Sequence, residues 1–182
     1  MPELVSVAGG GDLGVELDLT HLTIDINAYL SSYEPETHPA LKLRLTDSEP
    51  TIMLFSSGKY NIHGSSSVEN LRRVGDQLVE EIKNVTGFDL PPSASEVDVR
   101  NLVFVDSINS GINLEALVEA LGTKHAQYEP EVFGSVDYRP PDHQGLFKIF
   151  ASGKISLTGV RTTEGVAEAF DEIKARVEQS TI

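Results

Sequence analysis

The same unit is written twice in this sequence, 95 residues apart. The first copy reads Tyr33-Glu34-Pro35-Glu36, then Arg44, then Phe55-Ser56-Ser57-Gly58-Lys59, then Gly64. The second reads Tyr128-Glu129-Pro130-Glu131, then Arg139, then Phe150-Ala151-Ser152-Gly153-Lys154, then Gly159. From Tyr33 to Tyr128 and from Gly64 to Gly159 the offset is 95 residues, and no gap is needed. A direct repeat implies pseudo-two-fold architecture, and this period is too long for a solenoid unit. Two half-domains sharing one sheet or one core are expected.

A chain of 182 residues, 40% hydrophobic, can bury a real core in one or two domains. No apolar run approaches a membrane span, and no basic-then-apolar leader opens the chain. With no cysteine, disulfides and thiolate metal sites are excluded. A cytoplasmic protein without a membrane partner is the plain expectation. The formal net charge is −14, from 28 acids against 14 Lys and Arg. The sum argues against nucleic acid, since phosphate neutralisation needs clustered cations. Distribution counts for more than the sum, however. At roughly 1 M salt the Debye length is about 3 Å, so net repulsion is screened.

Both repeats spell the same element order. A strand (Leu4–Ala8; Val99–Val105) precedes an amphipathic helix (near Leu17–Leu30; Ile112–Gly122). Extended segments follow at Leu41–Leu45 and Ile52–Phe55, and at Val136–Arg139 and Leu146–Phe150. A Ser-Gly-Lys turn leads into Lys59–His63 or Lys154–Thr158. Long helices close the repeats at Val68–Lys83, capped from Ser65–Ser67, and at Thr163–Glu178, capped by Thr162 or Thr163. Alternation sorts the strand side chains by face. Tyr60, Ile62, Phe147, Ile149, Ile155 and Leu157 point toward the helices. Lys42, Arg44, Lys59, Arg139, Lys148 and Lys154 point to the open face, with Asp137 as the one acid. This is either edge decoration or a phosphate-contacting groove.

These motifs, Tyr-Glu-Pro-Glu, Phe-x-Ser-Gly-Lys and a closing Thr158-Gly159 or His63-Gly64 before an acidic helix, resemble the TATA-binding protein family in its archaeal type. The resemblance covers about residues 3 to 178, and the acid excess fits a diverged halophilic paralogue. It implies an α+β saddle. Two direct repeats, residues 1–87 and 96–182 joined by a connector at 88–95, form one curved antiparallel sheet with helices on its convex face. Apolar side chains inserted between base steps unstack and kink the duplex, this family being a standing example. The resemblance places such rings at Phe133 and Phe150, and at Phe55. The second ring position of the first repeat holds His38. Core packing is the alternative for these rings.

The resemblance further assigns minor-groove readout to Asn101, whose mate in the first repeat is Ser6. Ser offers one donor where Asn offers two donors and an acceptor, so A·T readout is weakened there. Arg44, Lys59, Arg139 and Lys154 are expected on phosphates. Lys148 stands where an aliphatic is usual, and would reach outward with its stem on the floor. Thr158 keeps the family residue that His63 replaces. Asn61, Ser156 and Asp137 also make the floor more polar. Glu129, Glu131 and Val132 occupy the loop that meets transcription factor B, or else form a solvated acidic loop.

Other chemistry is thinly supported. Gly9, Gly11 and Gly14 spell a G-x-G-x-x-G, but without parallel βαβ units the pattern is weak; the glycines are expected to loosen or curve the first strand. The five His show no metal spacing, and no nucleophile context or phosphate loop is present. No enzyme, no cofactor and no metal are expected. The implied function is a general transcription initiation factor that binds and bends TATA-like double-stranded DNA. It would recruit transcription factor B and, through it, RNA polymerase, in the cytoplasm at the nucleoid. The alternative is a diverged interaction module or regulator with weak or no DNA binding.

Overall fold

The computed structural model describes residues 1–179; the last three positions of the expected second repeat, 180–182, lie outside them. Ten strands and four helices follow one another in a twice-repeated order. They are β1 (Glu3–Asp12), α1 (Leu19–Asp25), β2 (Leu30–Ser32), β3 (Ala40–Arg44), β4 (Thr51–Phe55), β5 (Lys59–Ser65) and α2 (Val68–Thr86). The second set is β6 (Asp98–Ser107), α3 (Leu114–Leu121), β7 (Ala126–Tyr128), β8 (Ser135–Tyr138), β9 (Leu146–Phe150), β10 (Lys154–Val160) and α4 (Val166–Glu178). The chain divides into two compact units, one of Ser6–Arg100 and one of Met1–Val5 with the residues from Asn101 onward.

Within the repeats the strand orders are β2-β3-β4-β5-β1 and β6-β10-β9-β8-β7, one the mirror of the other. The expectation of a curved saddle is corrected at this point: the antiparallel sheet is not strongly curled. Register explains why. Curling needs bulges or kinks distributed along the strands. The pairs β2–β3, β3–β4, β4–β5, β7–β8, β8–β9 and β9–β10 keep continuous register. Within the two repeats, register breaks fall in β1–β5, between Val7 and Gly9, and in β6–β10, between Leu157 and Val160.

In each unit the buried strand residues alternate with half-exposed ones, and the buried set meets the helices. In β4, Ile52 and Leu54 are fully buried; in β9, Phe147 and Ile149 are. The α2 stripe Leu71, Val74, Gly75, Leu78, Val79 and Ile82 has helical period and is buried throughout. Ser67 caps it by accepting from the Asn70 amide at 3.0 Å, and Gly87 closes it in the left-handed conformation. In α4 the stripe is Val166, Ala169, Phe170, Ile173 and Val177. Its cap position is Gly165, with no side-chain bond, so the expected Thr162 or Thr163 cap is replaced. Phe170 meets Phe147 edge-on, centroids 5.2 Å apart.

The glycines of β1 combine close approach with the break in register between Val7 and Gly9. A Cβ on Gly9 would stand 2.5 Å from the Asp98 carbonyl oxygen and 2.7 Å from Leu71 of α2. One on Gly11 would stand 2.5 Å from the Tyr60 hydroxyl. That hydroxyl is buried and donates to the Ala94 carbonyl at 2.9 Å. Burial, helped by Asp76, Asp12 and Asp98, pushes its pKa up to about 12.

Candidate nucleic-acid interface

The two copies of the signature build the same local structure. In Tyr33–His38 the Thr37 and His38 amides donate to the Glu34 carbonyl at 3.0 and 2.9 Å. In Tyr128–Phe133 the Val132 and Phe133 amides donate to the Glu129 carbonyl at 2.9 and 2.7 Å. His38 and Phe133 therefore occupy equivalent places at the end of equivalent turns. Phe133 is 51% exposed and Val132 62%, which removes both from any core. His38 is exposed as well, and its Nδ1 accepts from the Ala40 amide at 3.1 Å.

The Phe-x-Ser-Gly-Lys copies form matching turns. The Gly58 amide donates to Phe55 and the Gly153 amide to Phe150, each at 2.9 Å. Leu13 and Ile108 donate to the Gly58 and Gly153 carbonyls at 2.9 and 3.0 Å. Both glycines hold positive φ, +87 and +90. A Cβ would also strike the Val15 carbonyl oxygen in one case and the Ile108 carbonyl oxygen in the other. Glycine is required twice, for conformation and for space. These turns hold Phe55 and Phe150 at strand ends on the face opposite Leu54 and Ile149. Both rings are half-buried and neither belongs to the core.

The cations sort in the same way. Lys42, Lys59, Arg139 and Lys154 are exposed and Arg44 is half-buried, its Nε enclosed without a partner. Among the described residues, of the six expected open-face cations only Lys148 enters an ion pair. Its Nζ donates to both oxygens of Asp137 at 2.9 Å, directly across the β8–β9 register. It also stands 5.3 Å from the centre of the Phe133 ring. Lys148 is thus held against a carboxylate, where the sequence reading expected it to reach outward.

Asn101 is likewise fixed. Its Oδ1 accepts from the Gly159 amide at 2.7 Å, at the β6–β10 irregularity, and its amide lies 3.2 Å from the Thr158 hydroxyl. One amide hydrogen remains for a ligand. No hydrogen bond holds the Ser6 hydroxyl among those of the described side chains, and Ser6 is half-exposed. Glu129 and Glu131 are exposed on the turn below Phe133; Glu129 receives the Gln127 amide. No cluster of three or more metal-ligating side chains exists among the described residues. No described helix is long and apolar enough to cross a membrane.

A family model described as "Transcription factor TFIID (or TATA-binding protein, TBP)" matches residues 1–85 and again residues 96–180. The chain belongs to the TATA-binding protein family. Two curated relatives are each 32% identical to it. The TATA-box-binding protein C of Halobacterium salinarum aligns over 97% of both chains. The TATA-box-binding protein of Archaeoglobus fulgidus aligns over 94% of this chain and 91% of its own. The solved Methanococcus jannaschii TBP superposes with a TM-score of 0.80 at 27% identity, covering 98% of each chain. TATA-binding proteins are DNA-binding transcription factors and not enzymes, and this member takes a general initiation role of that type.

One open-face residue escaped the sequence reading. The Arg100 guanidinium lies over Gly10, where a Cβ would be 2.6 Å from Nη1, and donates to Asn61 Oδ1 at 2.5 Å. Its repeat mate is Val5, so the 95-residue offset gives no hint of it. The glycine run was the available signal, since it marks a strand that something must cross closely.

Proposed function

We propose that this TATA-binding protein seats its open sheet face on the minor groove of TATA-like DNA and there recruits transcription factor B. Phe133 and Phe150 pry open one base step, and Phe55, with His38 beside it in sequence role, acts at the other. Arg44, Lys59, Arg139 and Lys154 hold phosphates, and Asn101 with Thr158 and Ser6 favours A·T pairs. Glu129, Glu131 and Val132 meet transcription factor B, which brings RNA polymerase. The repeats, residues 1–87 and 96–182, serve as its two half-site readers, in the cytoplasm at the nucleoid. The observation that carries this reading is the pairing, in both copies, of an aromatic strand end with cations that lack acidic partners, on a chain of net charge −14.

A second reading rests on the Asp137–Lys148 pair and the polar Asn61 and Ser156. They make the floor wetter, as in a regulator that sequesters transcription factor B without bending DNA. Fluorescence anisotropy separates the two. A TATA-containing and a scrambled duplex are titrated from low to roughly molar KCl, with and without transcription factor B. TATA-selective binding that persists at high salt is expected. Capture of transcription factor B without any DNA binding would establish the regulator instead.

A further inference from the structure

Asp137 and Lys148 are register partners on the open face of β8 and β9, with side chains 28% and 32% exposed. Their surroundings are built. Ser135 Oγ lies 3.3 Å from Asp137 Oδ1, Ser135 pairs across the strands with Phe150, and Lys148 Nζ sits over Phe133. The pair therefore belongs to the same patch as the two rings. Its repeat mates, 95 residues earlier, are Lys42 and Met53, which are also register partners. No acceptor exists at that place in the first repeat. The two half-sites consequently face different chemistry.

A carboxylate has about four acceptor positions, and an ammonium has three donors. Lys148 and Ser135 leave acceptor capacity on Asp137, and the two bonds to Asp137 leave one N–H on Lys148. The pair is net neutral, so it does not repel the duplex as a lone carboxylate would. It displays one acceptor beside one donor. In the minor groove an A·T pair shows only acceptors, whereas a G·C pair adds the guanine N2 amino donor. Against A·T alone, the Asp137 carboxylate would be desolvated facing other acceptors.

We infer that this pair makes one end of the recognition site select a G·C base pair, Asp137 accepting from the guanine N2 amino group and Lys148 donating to cytosine O2. The inference rests on the minor-groove reading above. It makes the preferred site asymmetric, A·T throughout except beneath β8 and β9, and gives a pseudo-symmetric protein a direction on its promoter.

Inosine supplies the test, because an I·C pair presents the minor-groove edge of an A·T pair without the amino group. Starting from an A·T-rich TATA-like duplex, each position is replaced in turn by G·C and by I·C, and binding is measured by competition anisotropy with the intact chain. At one position near one end, G·C is expected to bind about tenfold tighter than I·C. In the double variant Asp137→Leu with Lys148→Leu, which leaves no unpaired charge, that ratio should fall to about one. G·C equal to or weaker than I·C at every position overturns the inference and leaves the minor-groove reading standing. A preference that survives in the double variant also overturns it. Failure to bind any duplex overturns both.

Discussion

Phe150→Ala removes most of the bend that this chain puts into a TATA-like duplex, while Lys59→Ala leaves the bend largely in place at high salt. The expectation follows from what each side chain offers. Phe150 sits at the end of β9 on the open face, held by the turn whose Gly153 amide donates to its own carbonyl. A ring stacked on a base is worth about 1–3 kcal/mol by alanine substitution, and it acts through apolar contact that salt does not screen. Lys59 is exposed and carries no ion pair among those of the described residues. Its phosphate contact is one of several, and at roughly molar salt charges beyond about 3 Å are screened. End-labelled duplexes read by energy transfer in high salt measure both variants. Equal loss of bending from the two would show that the ring is not a wedge.

Phe147→Ala, three residues away in the same strand, strongly destabilises the fold and does not report on DNA. Phe147 is 1% exposed and packs edge-on against Phe170 of α4. Removing a buried Phe ring costs about 3–5 kcal/mol through lost transfer energy and the cavity left behind. Phe150→Ala, on the other face, should cost about 1 kcal/mol or less. Urea denaturation followed by circular dichroism separates them by their midpoints. If Phe150→Ala shifts the midpoint as far as Phe147→Ala does, both rings belong to the core and the open-face assignment fails.

These two phenylalanines also show what the sequence made legible. Period-two alternation assigned Phe147 to the helix side and Phe150 to the open side, and burial agrees at both. The 95-residue offset placed equivalent turns, and the backbone hydrogen bonds of Glu34 and Glu129, and of Gly58 and Gly153, match one for one. Shorter features were hidden. The helix expected near Leu17–Leu30 ends at Asp25, and Leu30–Ser32 is an edge strand pairing with β3. Three residues carry too little pattern to declare a strand, and Ala126–Tyr128 was missed for the same reason. Sheet curl is set by where bulges fall, which composition does not encode. Side-chain partnerships were the least legible. Asp137 and Lys148 were each noticed, but only the register shows that they face one another. Arg100 over Gly10 had no counterpart in the repeat to announce it.

The most direct test of the account is the shape of the DNA itself. A TATA-like duplex labelled at both ends, with the wild-type chain added in roughly molar KCl, should show its ends drawn together, and a scrambled duplex should not. A duplex that stays straight at every salt concentration, while the same chain captures transcription factor B without DNA, would contradict it.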